Sequence, residues 1–357
     1  MTRTLLRPTG FVDSPFGHDG KVARLAGGLT WFASVELLTV EGRRRVASEL
    51  VPVEGIEARF NDAIAADWAR LTAPRAALQM GERTIRLDQP QVMGIVNATP
   101  DSFSDGGAYA DAAAAADAGA KMAAAGAAIV DVGGESTRPG AAAVWEGDEV
   151  ERVAPIIRQL AAGGTAVSVD TRKATVIEAA LGAGARLVND VSALTWDERA
   201  LGVVAAAGVP VVLMHHQGDP TTMQDAPRYA DVLVEVYAWL EARIAAAEAA
   251  GIDRARILID PGLGFGKSVA HNLALLNGLA LFHGLGCGIV VGASRKRMIG
   301  ALSNEASADQ RLAGSLTLAL KSVEQGAQIV RVHDVPETVQ ALKVWRGLRD
   351  QALTPRV

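Results

Sequence analysis

Polar side chains stand at or just beyond the ends of short apolar runs, in every run from residue 91 onward. They are Asn97, Asp131, Asp170, Asn189, Asp190, His215, His216, Asp260, Ser294, Arg295, Lys296, Arg331 and His333. A single aspartate in such a position means little, because aspartate often caps the helix that follows. A polar end on every run predicts instead a common face where these side chains meet.

The carboxylates and amides of this set suit recognition of a flat heterocycle. Asp170, Asn189 and Asp260 offer hydrogen-bond acceptors and one amide donor. An amino-oxo-pyrimidine ring presents the complementary edge, with adjacent N–H donors and acceptors. Lys296 is placed to bond a ring carbonyl or nitrogen from the other side.

A second group combines the amide of Asn97, the guanidinium of Arg331 and the imidazole of His333. A guanidinium and an imidazole beside an amide suit a phosphate or diphosphate. The two groups together predict a ligand with a flat ring and an anionic arm.

The apolar runs that must position these residues are typical of strands alternating with Ala-rich helices. The predicted strands are 92–96, 128–131, 166–170, 186–189, 210–215, 257–260, 289–293 and 329–332. They recur about every 34 residues, the length of a βα unit, which predicts a (β/α)8 TIM barrel with its site at the carboxyl ends of the strands. A doubly wound open sheet is the alternative, but the first run leads into Asn97-Ala-Thr-Pro instead of a GxGxxG fingerprint. Thr175 and Glu178 are spaced as a capping box for one helix.

The first ninety residues differ from the rest of the chain in their pattern of strand and helix signals. Strand patterns at 29–40 and 45–53, a helical pattern at 61–71 and an extended stretch at 81–91 predict a small α+β extension. It contains no catalytic constellation. We therefore divide the chain into an accessory segment of unknown function, residues 1–90, and a barrel, residues 91–350.

Three further patterns concern loops. Glycine pairs in loops 99–107 and 133–140 permit large backbone movements, and Asp101 and Arg138 could meet when these loops close. The stretch 262–268, GLGFGKS, resembles a phosphate-binding loop but lacks its first glycine, so we interpret it as a tight loop that shapes the pocket. His215 and His216 would point to opposite faces of a strand, which argues against a shared metal.

Composition excludes several classes of protein. The 357 residues are 49% hydrophobic and 21% charged, the balance of a soluble globular protein. The net charge of -5 leaves no basic excess for nucleic-acid binding. No segment approaches the ~20 apolar residues of a membrane span. The single cysteine, Cys287, excludes an intrachain disulfide and fits the cytoplasm.

Eight longer motifs contain these polar strand ends and loops. They are MGIVNATPDSFSDGG (93–107), DVGGESTRPGA (131–141), VSVDTRK (167–173), VNDVSAL (188–194), LMHHQGDPTTMQ (213–224), IDPGLGFGKS (259–268), VGASRKRMIG (291–300) and RVHDV (331–335). In this order they resemble the motifs of the dihydropteroate synthase family. The resemblance covers about residues 91–345. It implies an enzyme of folate biosynthesis that joins a dihydropterin-CH2-diphosphate to 4-aminobenzoate and releases dihydropteroate and diphosphate.

The resemblance also implies roles for individual residues. The pterin would contact Asp170, Asn189, Met214, Asp260 and Lys296, and the diphosphate would contact Asn97, Arg331 and His333, with Asn97 beside Mg2+. The aminobenzoate pocket, which is also the sulfonamide site, would comprise Phe103, Thr137, Arg138, Pro139, Gly264, Phe265 and Lys296. The catalytic set would be Asn97, Asp170, Asp260, Lys296 and Arg331. A homodimer is expected.

Two residues depart from the pattern of the family. His216 stands next to His215 where many relatives have an apolar residue, and Arg297 stands where some have a serine that touches the aminobenzoate carboxylate.

Two alternative functions share the barrel. A methyltransferase acting between methyltetrahydrofolate and a corrinoid would not need the ESTRPG or SRK motifs, which are intact. A non-catalytic pterin-binding protein would be expected to have lost phosphate or loop residues, and these are present.

Overall fold

The N-terminal part of the chain forms an antiparallel sheet covered by one helix. The computed structural model describes residues 2–98, 107–136, 144–218 and 223–354, except for the side chains of 107–111. The strands are β1 (Thr2–Val12), β2 (Ala23–Arg24), β3 (Trp31–Glu41) and β4 (Arg44–Pro52). Strand β3 pairs with β1 on one side and with β2 and β4 on the other. A 3-10 turn (Val53–Arg59) and helix α1 (Asp62–Thr72) follow, and Phe32, Val35 and Leu71 belong to a buried core.

The predicted strands 29–40 and 45–53 and the predicted helix 61–71 are confirmed within a few residues. Strand β1 was not predicted, because Pro8 and Gly10 interrupt its apolar pattern. Proline lacks the N–H that a central strand must donate, but β1 lies at the edge of the sheet, where that loss is tolerated.

Eight parallel strands close into a barrel, as predicted. A hairpin of β5 (Leu78–Met80) and β6 (Arg83–Ile85) precedes them. The barrel strands are β7 (Gln91–Asn97), β8 (Ile129–Gly133), β9 (Val167–Asp170), β10 (Leu187–Asp190), β11 (Val211–Met214), β12 (Ile257–Asp260), β13 (Gly288–Val291) and β14 (Ile329–Val332). Continuous apolar runs form these strands because both faces of each strand are buried.

Helices connect the strands and surround the barrel. They are α2 (Gly107–Ala124), α3 (Glu146–Ala162), α4 (Ala174–Ala183), α5 (Ala200–Ala207), α6 (Val232–Ala249), α7 (Val269–Asn277), α8 (Arg297–Leu302), α9 (Leu312–Glu324) and α10 (Val335–Ala352). The predicted capping box at Thr175 is wrong. Helix α4 starts at Ala174 with Lys173 at the N-cap position, so Thr175 lies inside the helix. Asp197 accepts from Ala174 N at 2.8 Å, and Glu178 accepts from Arg199 instead.

The hairpin closes the amino-terminal end of the barrel. Leu78, Met80 and Ile85 share a buried cluster with interior strand residues such as Met93 and Ile129. The division near residue 90 therefore stays a prediction, since the barrel core already includes residues before it. Among the described residues, no helix is both long enough and apolar enough to cross a bilayer.

Arg75 joins the N-terminal part of the chain to this end of the barrel. Its buried guanidinium donates to the carbonyls of Cys287 at 3.1 Å, His283 at 3.0 Å, Arg70 at 2.8 Å and Ala73 at 2.9 Å. Burial lowers its pKa to about 10, which is still well above neutral pH. One side chain thus satisfies four backbone acceptors.

Replacing Arg75 with methionine should lower the free energy of unfolding by roughly 2–4 kcal/mol, because buried carbonyls would lose their donor. Chemical denaturation followed by circular dichroism measures the change. Arg59→Ala, which removes an exposed pair with Glu49, is the matched control and should stay within about 0.5 kcal/mol. Equal effects of the two variants would contradict a structural role for Arg75.

Candidate active site

Parallel strand pairing places several of the predicted residues at one level of the barrel. Asn97 is opposite Gly133, Gly133 is opposite Asp170, and Asp170 is opposite Asn189. Further round, Met214 is opposite Asp260. These positions are the carboxyl ends of their strands, so the backbone alone brings residues far apart in sequence to one face.

A partly buried ionic network connects side chains from four of the barrel strands, β8, β9, β10 and β14. Arg331 donates from Nε to Asp131 Oδ2 and from Nη2 to Asp170 Oδ2, both at 2.6 Å. Asn189 Nδ2 donates to the same Asp131 oxygen at 3.0 Å. Asp131 is completely buried, and its Oδ1 has no hydrogen-bond partner among the described residues. Asp131 was not predicted as a site residue, although it stands at the end of a predicted strand.

Asp260 is fixed by the turn that follows β12. Its Oδ1 accepts from Gly262 N at 2.7 Å. Gly262 has a φ of +68°, and a Cβ there would lie 1.8 Å from the carbonyl oxygen of His215. Only glycine therefore fits this turn, which leaves Asp260 held at the same face as Arg331 and Lys296.

Lys296 directly follows a residue whose backbone is strained. Arg295 has a φ of +57°, a conformation that is unfavourable for a non-glycine residue. Asp334 accepts from its Nε at 3.0 Å, Ser315 accepts from its backbone N–H at 2.9 Å, and Arg311 donates to its carbonyl at 3.0 Å. These bonds hold the turn, and Lys296 Nζ then lies 4.2 Å from the centre of the Phe265 ring.

Burial shifts the pKa values of the site residues in the directions that favour their neutral forms. It raises the pKa of Asp170, which Arg331 opposes, and it raises the pKa of Asp260, which the Gly262 N–H opposes. It lowers the pKa of Lys296 to about 8, with Asp260 acting against it. Such shifts are typical of sites that bind or react.

The predicted anion group lies beside this network. Asn97 ends β7 and is half-buried. Ser294 Oγ lies 3.0 Å from His333 Nδ1 and accepts from His333 N at 3.2 Å, so the imidazole is fixed through Nδ1. On Arg331, Nη1 makes no hydrogen bond with the described residues. Asn97, Arg331 and His333 therefore lie at the same carboxyl-terminal face of the barrel.

Four predicted aminobenzoate residues, Phe103, Thr137, Arg138 and Pro139, lie outside the described residues. Gly264 and Phe265 do lie beside Lys296, because a Cβ on Gly264 would stand 3.6 Å from Lys296 Nζ. Arg297 is exposed at the start of α8.

The predicted opposite orientation of His215 and His216 is wrong. Strand β11 ends at Met214, so strand alternation does not apply, and both rings contact Trp239 at centroid distances of 4.9 and 6.0 Å. His215 Nδ1 lies 2.9 Å from Nζ of buried Lys267.

Lys267 is a second residue whose importance the sequence did not reveal. Its Nζ donates to the carbonyls of Gly262 at 2.8 Å and Phe265 at 3.0 Å, so it binds the loop that follows β12 from within. Burial lowers its pKa to about 7. The interpretation of 262–268 as a pocket-shaping loop agrees with these contacts.

Replacing Asp131 with asparagine should destabilise the protein, because Arg331 would lose the fully buried one of its two carboxylate partners. We expect the free energy of unfolding to fall by roughly 3–5 kcal/mol, as measured by urea denaturation. Asp350→Asn removes the exposed partner of Arg346 and serves as the control, with a change of at most about 1 kcal/mol. If Asp131→Asn lowered the free energy of unfolding no more than Asp350→Asn does, the network would contribute little to stability.

Comparison with known proteins identifies the family. The family model described as "Pterin binding enzyme" matches residues 93–333. Dihydropteroate synthase of Neisseria meningitidis serogroup B is 49% identical over 280 residues, which cover 77% of this chain and 98% of that protein.

Solved structures agree with this assignment. Xanthomonas albilineans dihydropteroate synthase with 4-aminobenzoic acid is 49% identical, with a TM-score of 0.73 over 78% of this chain and 100% of that chain. The same enzyme in complex with 7,8-dihydropteroate has a TM-score of 0.71 at 46% identity over the same shares. The chain therefore belongs to the dihydropteroate synthases, within the family of pterin-binding enzymes.

Proposed function

We propose that the protein condenses (7,8-dihydropterin-6-yl)methyl diphosphate with 4-aminobenzoate and that the ring binds against the network of Asp170, Asn189 and Asp260. The observation that carries this proposal is the convergence of three carboxylates, two of them buried, with one amide, Lys296 and Arg331 at one end of the barrel. Acidic groups of this kind hold the N–H donors of an amino-oxo-pyrimidine edge. Buried Met214 at the end of β11 offers an apolar contact for the ring.

The diphosphate arm is assigned to Asn97, Arg331 and His333. Among the described residues, no three His, Cys, Asp or Glu side chains are grouped to hold a metal. One amide oxygen from Asn97 nevertheless suits Mg2+, which is usually held by phosphate oxygens and water with few protein ligands. When bound, magnesium would neutralise negative charge on the leaving diphosphate.

The aminobenzoate is assigned to the side of Lys296 formed by Gly264 and Phe265. The cation of Lys296 over the Phe265 ring provides both an aromatic surface and a positive charge. Thr137, Arg138, Pro139 and Phe103 are assigned to the same pocket by the motif resemblance alone. A sulfonamide would compete at this pocket.

The reaction breaks the bond between the exocyclic carbon and the diphosphate oxygen and forms a bond from that carbon to the aniline nitrogen. Arg331 and His333 stabilise the departing anion. Asp170 and Asp260 face the positive charge that develops on the carbon and the pterin ring. The aniline nitrogen loses a proton after attack; its conjugate acid is strong, so a dedicated base is not required.

An assay with purified protein tests this function. Dihydropterin-CH2-diphosphate, Mg2+ and 4-aminobenzoate are mixed, and dihydropteroate and diphosphate are followed by chromatography and a diphosphate-coupled signal. Both products should appear in equal amounts. Methyl transfer from methyltetrahydrofolate to a corrinoid, without dihydropteroate formation, would overturn the proposal in favour of a methyltransferase.

Asp260→Asn should weaken binding of the pterin diphosphate by ~2–5 kcal/mol. The reason is that a buried carboxylate, which only accepts hydrogen bonds, would be replaced by a neutral amide that also donates them. Calorimetric titration of the variant measures the loss. The exposed carboxylate of Asp309 provides a control, since Asp309→Asn should leave the affinity unchanged. Unchanged affinity in Asp260→Asn would remove Asp260 from the pterin site.

The pH profile of kcat/KM for the pterin substrate should be bell-shaped. Burial raises the pKa values of Asp170 and Asp260, so activity should still be rising with pH above the range of a free carboxylate. It should fall as pH passes the lowered pKa of Lys296, about 8. Lys296→Arg keeps its charge and should lack the alkaline limb. An alkaline limb that survives in this variant would assign the limb to another group.

The cytoplasmic location and the homodimer expected from the sequence stay predictions. The only cysteine is buried, which is compatible with a reducing compartment. Size-exclusion chromatography with light scattering would determine the oligomeric state.

A further inference from the structure

We propose that the hairpin between β3 and β4 is a positioning element for the aminobenzoate pocket, acting through the loop that joins β11 to α6. This loop, residues 215–231, is called the β11–α6 loop; its described parts are 215–218 and 223–231. The hairpin carries Arg43 and Arg45 at its tip. The inference rests on the proposed function, because it assigns a role to the N-terminal sheet in that reaction.

Arginines of the sheet bind acidic residues along α6. Arg45 Nη2 lies 3.2 Å from Asp231 Oδ2, and Arg43 Nη1 lies 3.5 Å from Glu235 Oε2. Further along the helix, Arg3 forms a bidentate pair with Glu241 at 2.5 and 2.6 Å. The tip of the hairpin therefore contacts the amino-terminal end of α6, which is the end nearer the active-site face of a barrel.

The two carboxylates at that end also fix the exit of the β11–α6 loop. Asp231 is the N-cap of α6 and accepts from Leu233 N at 3.1 Å. Glu235 Oε1 accepts from Ala230 N at 2.6 Å. The hairpin arginines thus bind the same two side chains that hold the last residues of the loop against the helix, and they partly neutralise them.

The β11–α6 loop in turn supports the loop after β12. Tyr229 Oη donates to the Gly266 carbonyl at 2.9 Å, and Gln224 Nε2 donates to the Gly264 carbonyl. At Gly266, where φ is +63°, a Cβ would lie 2.3 Å from the carbonyl oxygen of Gln217, so the two loops are in direct backbone contact. A shift of the first loop must therefore move the second.

The second loop forms the wall proposed for aminobenzoate. Gly264 and Phe265 both lie against Lys296. A continuous set of contacts thus runs from the hairpin arginines to this wall. The family model begins at Met93, so the sheet that provides the arginines lies outside the part of the chain that the family defines.

The test uses the full chain with the double substitution Arg43→Ala and Arg45→Ala. KM for 4-aminobenzoate should rise about threefold to fivefold, the scale expected for two partly exposed ion pairs, with kcat and thermal stability little changed. The variant Arg43→Lys/Arg45→Lys keeps both charges and should restore the wild-type KM. Arg59→Ala, which breaks a pair within the same sheet, is the control and should leave KM unchanged.

Hydrogen exchange provides a readout that does not depend on turnover. Amides of residues 230–234 should exchange faster in the alanine double variant than in the wild type, because the carboxylates that cap them lose their arginine partners. An unchanged KM with unchanged exchange, or an equal rise of KM in Arg59→Ala, would overturn the inference. Wild-type protein that forms no dihydropteroate would instead overturn the proposed function, while the exchange comparison would still decide whether the hairpin supports the loop.

Discussion

The guanidinium of Arg331, held between the carboxylates of Asp131 and Asp170, is the interaction on which the site depends. Isolated charges at this depth would be very unfavourable, so the cation and the anions are stable only as a set. This set also connects strands β8, β9 and β14, since each contributes one member. An uncompensated acidic group could not be placed at this depth, so the arginine makes this acidic cluster possible.

Backbone geometry explains how the sequence could predict so much of this arrangement. In a parallel barrel, the last residue of each strand faces the same end, so strand positions alone predicted that Asp170, Asn189 and Asp260 would be neighbours. All eight strands were found from continuous apolar runs between helices. The family resemblance then assigned the ring, the anion and the aminobenzoate to particular residues, and these roles stay predictions.

What the sequence did not reveal depends on tertiary contacts. Asp131 was treated only as a polar strand end, and nothing local distinguishes a helix cap from a partner of Arg331, 200 residues away. The N–H of Ala174 is capped by Asp197 of the loop between β10 and α5, so a local spacing rule gave the wrong cap. Strand β1 was missed because Pro8 breaks the local pattern, whereas its place at the sheet edge becomes visible only once β3 is paired.

The packing of the N-terminal sheet along α6 has a consequence for quaternary structure. A helix offers its outward surface to one neighbour at a time, and Arg3, Arg43 and Arg45 already bind acidic side chains along this one. A second copy of the chain would therefore have to approach the barrel through other helices. The extension restricts, by simple steric occupation, which symmetry axes an assembly of this protein can adopt.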